Sequence, residues 1–158
     1  MLAAKALFRQ FDRLAWSNDR SGMELLVAGL VQDLDALGDS YPASGARAIL
    51  LIRALRWLGR ESDAQPWKNR LHELATGGPP RPPYHQGDPE IARVGAKIMD
   101  IGERFGAIVF AGDRAAMVDF IAELQSERVS QGESEYYRFF VSRMLQMCLD
   151  LQSGSPEA

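Results

Sequence analysis

The stretch FGAIVFAGDRAAMVDFIAELQSERVSQG, residues 105–132, repeats an earlier stretch of the same chain, FDRLAWSNDRSGMELLVAGLVQDLDALG, residues 11–38. A shift of 94 positions (105 − 11) aligns the two without a gap. The identical pairs are Phe11 and Phe105, Asp19 and Asp113, Arg20 and Arg114, Met23 and Met117, Ala28 and Ala122, Leu30 and Leu124, and Gly38 and Gly132. Such a self-match indicates a repeated supersecondary unit. We predict that each copy forms a helix, a tight turn and a second helix.

Outside these two copies, apolar residues continue to recur at three- and four-residue spacing, which is typical of amphipathic helices. No segment of useful length alternates with period two, so the sequence predicts an all-α protein of about seven helices. The predicted helices cover residues 2–16, 20–37, 45–58, 62–75, 89–111, 114–129 and 133–152. The third is apolar around most of its circumference and is expected to be the central, most buried helix.

A proline-rich stretch, TGGPPRPPYHQG at residues 76–87, interrupts the helical pattern. Five of the eight prolines fall between Pro79 and Pro89, and such a run favours extended polyproline II rather than helix. We therefore predict one domain over residues 1–158, with helical halves at 1–76 and 89–153, a connector at 77–88 and a frayed tail at 154–158. A ligand for a proline-recognition domain, or a flap over a groove, is the alternative for the connector.

The composition of the chain argues against several classes of function. A net charge of −3 is unfavourable for a non-specific nucleic-acid binder, which normally carries a basic surplus. Cys148 is the only cysteine, so no disulfide can form within the chain, and its apolar surroundings predict a buried structural thiol. The sequence offers neither the apolar core of a secretory signal nor a membrane span. A cytoplasmic location is the default expectation.

A third, more degenerate copy lies between the two clear ones. Three features recur in order: a turn residue, a small or apolar residue five positions later, and a large apolar residue three positions after that. The sets are Asn18, Met23 and Leu26; Gly59, Ala64 and Trp67; and Gly112, Met117 and Phe120. This pattern resembles the tetratricopeptide repeat, although the turn residues are 41 (59 − 18) and 53 (112 − 59) positions apart, whereas the family period is about 34.

The resemblance implies three stacked antiparallel helical hairpins followed by a C-terminal helix, as a tetratricopeptide-like array or as a compact bundle. It also implies that the first helix of each hairpin lines a concave binding surface. On that face the partner-binding candidates are Lys5, Arg9, Trp16, Arg53, Arg56 and Trp57. Arg53 and Arg56 share a helical face in an apolar helix and need anionic or carbonyl partners there. Internal pairing with acids such as Asp12, Asp63 or Glu103 is the alternative to binding an acidic segment or a C-terminal carboxylate of a partner.

The sequence gives little sign of catalysis. Its two histidines, His72 and His85, lack neighbours at metal-ligand spacing, and no glycine-rich phosphate loop follows a strand. We predict no catalytic residue, no metal site and no cofactor. The favoured function is a non-enzymatic adaptor, chaperone or inhibitor that binds a partner protein or acidic peptide, without membrane contact. The alternatives are a helical subunit of a larger nucleoprotein assembly, a ligand-binding or enzymatic bundle, and a structural homodimer.

Overall fold

The computed structural model describes residues 1–40, 43–77, 89–130 and 132–154, and throughout these ranges it contains helices and no strands. The prediction of an all-α fold with seven helices is confirmed for this part of the chain. The helices are α1 (Ala4–Trp16), α2 (Arg20–Leu37), α3 (Ala43–Trp57), α4 (Glu61–Thr76), α5 (Pro89–Ala111), α6 (Arg114–Arg128) and α7 (Glu135–Ser153). Their ends differ from the predicted ones by a few residues. The start of α7, for example, is set by Ser134, whose side chain accepts from the Tyr137 N–H at 3.2 Å.

The three hairpin turns share one backbone geometry. The turn residue is left-handed in each, with φ of 54° at Asn18, 76° at Gly59 and 63° at Gly112. The next N–H then donates to the carbonyl five residues earlier, which satisfies a helix-end acceptor. These bonds run from Asp19 to Leu14 at 2.9 Å, from Arg60 to Leu55 at 2.8 Å and from Asp113 to Ile108 at 3.1 Å. The three turn residues predicted from the sequence, Asn18, Gly59 and Gly112, therefore form the hairpin turns of the structure.

The caps after these turns show which copies are most alike. Asp19 accepts from the Gly22 N–H at 2.8 Å, and Asp113 accepts from the Ala116 N–H at 3.0 Å, so both copies cap their second helix in the same way. Arg60 holds the matching position in the middle hairpin and makes no cap bond from its side chain. The first and third copies, which are the most similar in sequence, therefore also share this capping hydrogen bond.

The chain divides into two compact units, Met1–Arg81 and Pro82–Ala158. In the first, α3 packs against α1, α2 and α4; in the second, α5, α6 and α7 pack on one another. The division falls in the predicted connector 77–88, of which only Gly77, the C-cap of α4, is described. Of the predicted frayed tail, only Gly154 is described, and it caps α7 with a φ of 69°. Residues 78–88 and 155–158 lie outside the described chain.

The duplication extends to a third helix that the sequence comparison did not include. At the same shift of 94, four buried positions of α3 align with four buried positions of α7: Arg47 with Val141, Leu50 with Met144, Leu51 with Leu145, and Ala54 with Cys148. The first two helices follow the same rule, since Phe11 and Phe105 are buried on the first helices and Met23 and Met117 are fully buried on the second. Each unit is therefore built on the same three-helix plan, and α4 is an addition to the first unit.

Candidate protein-binding site

The three arginines of α3 are in different environments. Arg47 is buried, and its guanidinium donates to the carbonyl of Leu2 at 2.6 Å, to the carbonyl of Ala43 at 3.2 Å and to the carboxylate of Asp33 at 3.3 Å. A buried cation needs this degree of pairing to be tolerated. Arg47 therefore joins α3 to α2 and to the chain before α1, and it is unavailable to a partner.

Arg53 lies between α3 and α1. Its guanidinium carbon is 4.9 Å from the centroid of the Phe11 ring, a distance at which cation–π attraction operates. The next residue of α1, Asp12, is half-buried, and burial raises the pKa of its carboxyl to about 7, although the charge of Arg53 acts in the opposite direction. The structure thus places one of the predicted acids, Asp12, within electrostatic reach of a predicted binding arginine.

Arg56 is exposed and pairs across the hairpin turn. Its Nε donates to the Glu61 carboxylate at 3.2 Å, and Lys68 also contacts Glu61. These two cations hold the pKa of Glu61 below its ordinary value, with the Lys68 hydrogen bond as the larger cause. The predicted acid Asp63 pairs with Arg60 instead, at 2.8 Å. Because the Arg56 pair is open to solvent, it stabilises the fold only slightly.

The four other candidate residues differ in their accessibility. Lys5 is exposed and Arg9 is half-exposed, and neither forms an ion pair within the described ranges. Trp57 is half-buried, one helical turn beyond Arg53. Trp16, in contrast, is only 5% exposed, so its ring belongs to the core and cannot form part of a docking surface. We call the remaining set the basic α1–α3 face; it consists of Lys5, Arg9, Arg53, Arg56 and Trp57.

The spacing of these residues supports a common surface. Lys5, Arg9 and Asp12 follow one another at four and three residues, so they share one side of α1. Asp12 brings this side of α1 toward α3, because the charge of Arg53 acts on the Asp12 carboxyl. A negatively charged segment that follows this side would meet Lys5 and Arg9 first, and then the Asp12–Arg53 pair.

The second unit contains a cleft that the sequence did not predict. It measures about 310 Å³ and lies among α5, α6 and α7. Its lining includes Lys97, Asp100, Arg104, Phe120, Glu123 and Tyr137. One signal for it was present in the sequence: Lys97, Asp100 and Glu123 replace Ala3, Ala6 and Gly29 of the first unit at the shift of 94.

The charges of this cleft are paired with one another. Arg104 donates to Glu123 at 2.5 Å, and the Tyr137 hydroxyl donates to Glu127 at 3.0 Å. Burial, and then the bond to Glu127, raise the pKa of Tyr137 to about 12, so its phenol stays protonated at neutral pH.

The described parts of the chain contain neither a metal-binding cluster nor a membrane-spanning helix. No group of three or more His, Cys, Asp or Glu side chains suited to hold a metal ion occurs in residues 1–40, 43–77, 89–130 and 132–154. His72 is exposed on α4, and His85 lies outside these ranges. None of the helices described here combines the length and apolar character that crossing a bilayer requires.

Comparison with known proteins gave no match: no protein-family model, no curated protein and no solved structure is significantly similar to the chain.

Proposed function

We propose that this chain is a non-enzymatic, cytoplasmic protein–protein interaction module that binds an acidic segment of a partner protein on the basic α1–α3 face. The observation that carries the proposal is the pair Lys5 and Arg9, accessible cations on one side of α1 with no ion-pair partner among the described residues. They share a side of α1 with Asp12, which is within electrostatic reach of Arg53, and they can bind carboxylates without first breaking an internal salt bridge.

The hairpin arrangement of the first unit supports this function. Its hairpins are α1–α2 and α3–α4, and their first helices, α1 and α3, pack side by side. In the tetratricopeptide-like array that we propose for this unit, first helices form the surface that receives an extended segment. Trp57 would then provide apolar contact beside the cations, because an indole ring at an interface buries a large area.

Charge reversal tests the proposal. The probe is an array of acidic peptides with free C-terminal carboxylates, screened against the full chain and followed by fluorescence anisotropy of the peptides that bind. Arg9→Glu is expected to weaken binding by roughly tenfold, because a cation–carboxylate contact of ordinary strength is replaced by a repulsive one. Binding should also weaken as salt is added.

Arg128→Glu is the matched control, since Arg128 is an exposed arginine of α6 in the other unit. Equal loss in Arg9→Glu and Arg128→Glu would mean that peptides respond to net charge alone, which would overturn the assignment to the basic α1–α3 face. Failure of every acidic peptide to bind the unmodified chain would overturn the proposed function itself.

A further inference from the structure

The third helices of the two units, α3 and α7, share one buried face but differ in the burial of the arc beside it. In each unit the third helix packs on the two helices that precede it in the chain, and we assign the burial of the four aligned positions to these contacts. On α3 a second arc of residues is buried as well, namely Ser44, Gly45, Ala48, Ile52 and Leu55. Because α4 is the further helix that packs on α3, we assign the burial of this second arc to α4.

The corresponding arc of α7 is uncovered. At the shift of 94 its residues are Arg138, Phe139, Ser142, Gln146 and Leu149, which we call the open α7 face. Phe139 is 60% exposed and Leu149 is 39% exposed, whereas their counterparts on α3 are buried. In the second unit, α5 and α6 are the helices that pack on α7 within the described ranges, and we assign them to its four aligned buried positions.

The open α7 face combines apolar and cationic character. The Arg143 guanidinium carbon lies 5.7 Å from the centroid of the Phe139 ring, and Arg138 lies on the other side of Phe139. Neither arginine forms an ion pair within the described ranges. The face therefore suits an occupant that has an apolar stripe bordered by carboxylates.

We propose that the open α7 face binds an amphipathic α-helix of a partner protein, which lies along α7 as α4 lies along α3. The α4 helix shows the form of such an occupant: it is 16 residues long, with Ala64 fully buried and Trp67 and Leu71 half-buried at the next positions of its inner stripe. The partner helix carries a comparable stripe with three- and four-residue spacing, and acidic residues beside it that meet Arg138 and Arg143. This inference is independent of the basic α1–α3 face.

A displayed library of helices tests it. The library keeps the length and the inner stripe of α4, 16 residues with Ala64, Trp67 and Leu71 as the pattern, and varies the flanking positions. It is selected on the full chain, and the enriched peptides are synthesised and titrated by fluorescence anisotropy. We expect enrichment of Asp and Glu beside the stripe. Phe139→Glu and Leu149→Glu should each weaken binding by roughly tenfold or more, because each places a charge where apolar area is buried.

Controls distinguish this site from others. Met99→Glu changes another exposed apolar side chain of the second unit, 66% exposed on α5, and should leave the affinity unchanged, as should Arg9→Glu. Since Phe139 and Leu149 are already exposed, both variants should keep the far-ultraviolet circular dichroism of the unmodified chain.

Two results would overturn the inference. One is a selection in which no enriched peptide distinguishes the unmodified chain from Phe139→Glu. The other is self-association of the unmodified chain in sedimentation equilibrium that Phe139→Glu abolishes, which would assign the open α7 face to a second copy of the chain.

Discussion

Replacing Asp12 by Asn tests whether burial or attraction to Arg53 decides how the charge of Asp12 affects stability. Asp12 is half-buried beside Arg53, and the pKa of its carboxyl is raised from 3.8 to about 7. A native state that holds the proton more tightly than the unfolded chain is favoured at low pH, and this advantage is lost as pH rises from about 4 to 7. The unmodified protein should therefore lose stability across this interval.

The size of the effect follows from the pKa difference. One pKa unit corresponds to about 1.4 kcal/mol, so a shift to about 7 sets an upper limit of ~4 kcal/mol. Because part of Asp12 reaches solvent, we expect about 2 kcal/mol in practice. Asp12→Asn should thus be about 2 kcal/mol more stable than the unmodified chain at about pH 8, and nearly equal to it at about pH 4.

Tryptophan fluorescence during urea unfolding gives the required measurement. All three tryptophans, Trp16, Trp57 and Trp67, belong to the first unit, so their emission reports the unit that contains Asp12. Asp35→Asn is the control, since it makes the same substitution at an exposed aspartate of α2. If Asp12→Asn were less stable than the unmodified chain at about pH 8, attraction to Arg53 would outweigh burial, and the reasoning would be refuted.

Five further substitutions test the duplicated architecture. Met23→Ala and Met117→Ala should each cost about 2–5 kcal/mol, since both methionines are fully buried, and native-state hydrogen exchange of the two units would show similar losses. Gly112→Ala should cost about 1 kcal/mol through its positive φ alone, because an added Cβ there meets no atom within 4 Å, while Asn18→Gly should be neutral or slightly stabilising; thermal unfolding followed by circular dichroism measures both. Asp113→Ala should cost about 1 kcal/mol through loss of the α6 cap, and unchanged exchange of the first α6 amides would contradict that role.

The hairpins could be predicted from the sequence because their signals are local. A left-handed turn residue and the apolar residues that follow it lie within a few positions, as at Gly112 and Met117, and the same order repeats in all three hairpins. The third duplicated helix lacked such a signal. Of its four aligned buried pairs, only Leu51 and Leu145 are identical, because packing constrains burial more strongly than residue identity.

The candidate site was predicted less completely because its accessibility depends on distant parts of the chain. Arg47 is neutralised by Asp33 and by the carbonyl of Leu2, which no spacing within α3 reveals. Trp16 lies next to the periodic core residue Ala15, and tertiary packing buries its ring as well. The open α7 face could be found only by comparing burial between the two units, because most of its residues are exposed where the aligned residues of α3 are buried.

The central claim, that the basic α1–α3 face receives an acidic segment of a partner, is tested most directly by mapping the contact on the whole protein. Amide chemical shifts of the isotope-labelled full chain would be followed during titration with an acidic peptide from the array. The account predicts saturable changes at Lys5, Arg9 and Arg53, reduced when Arg9 is replaced by Glu. Changes confined to the α5–α6–α7 cleft, or none that saturate, would contradict it.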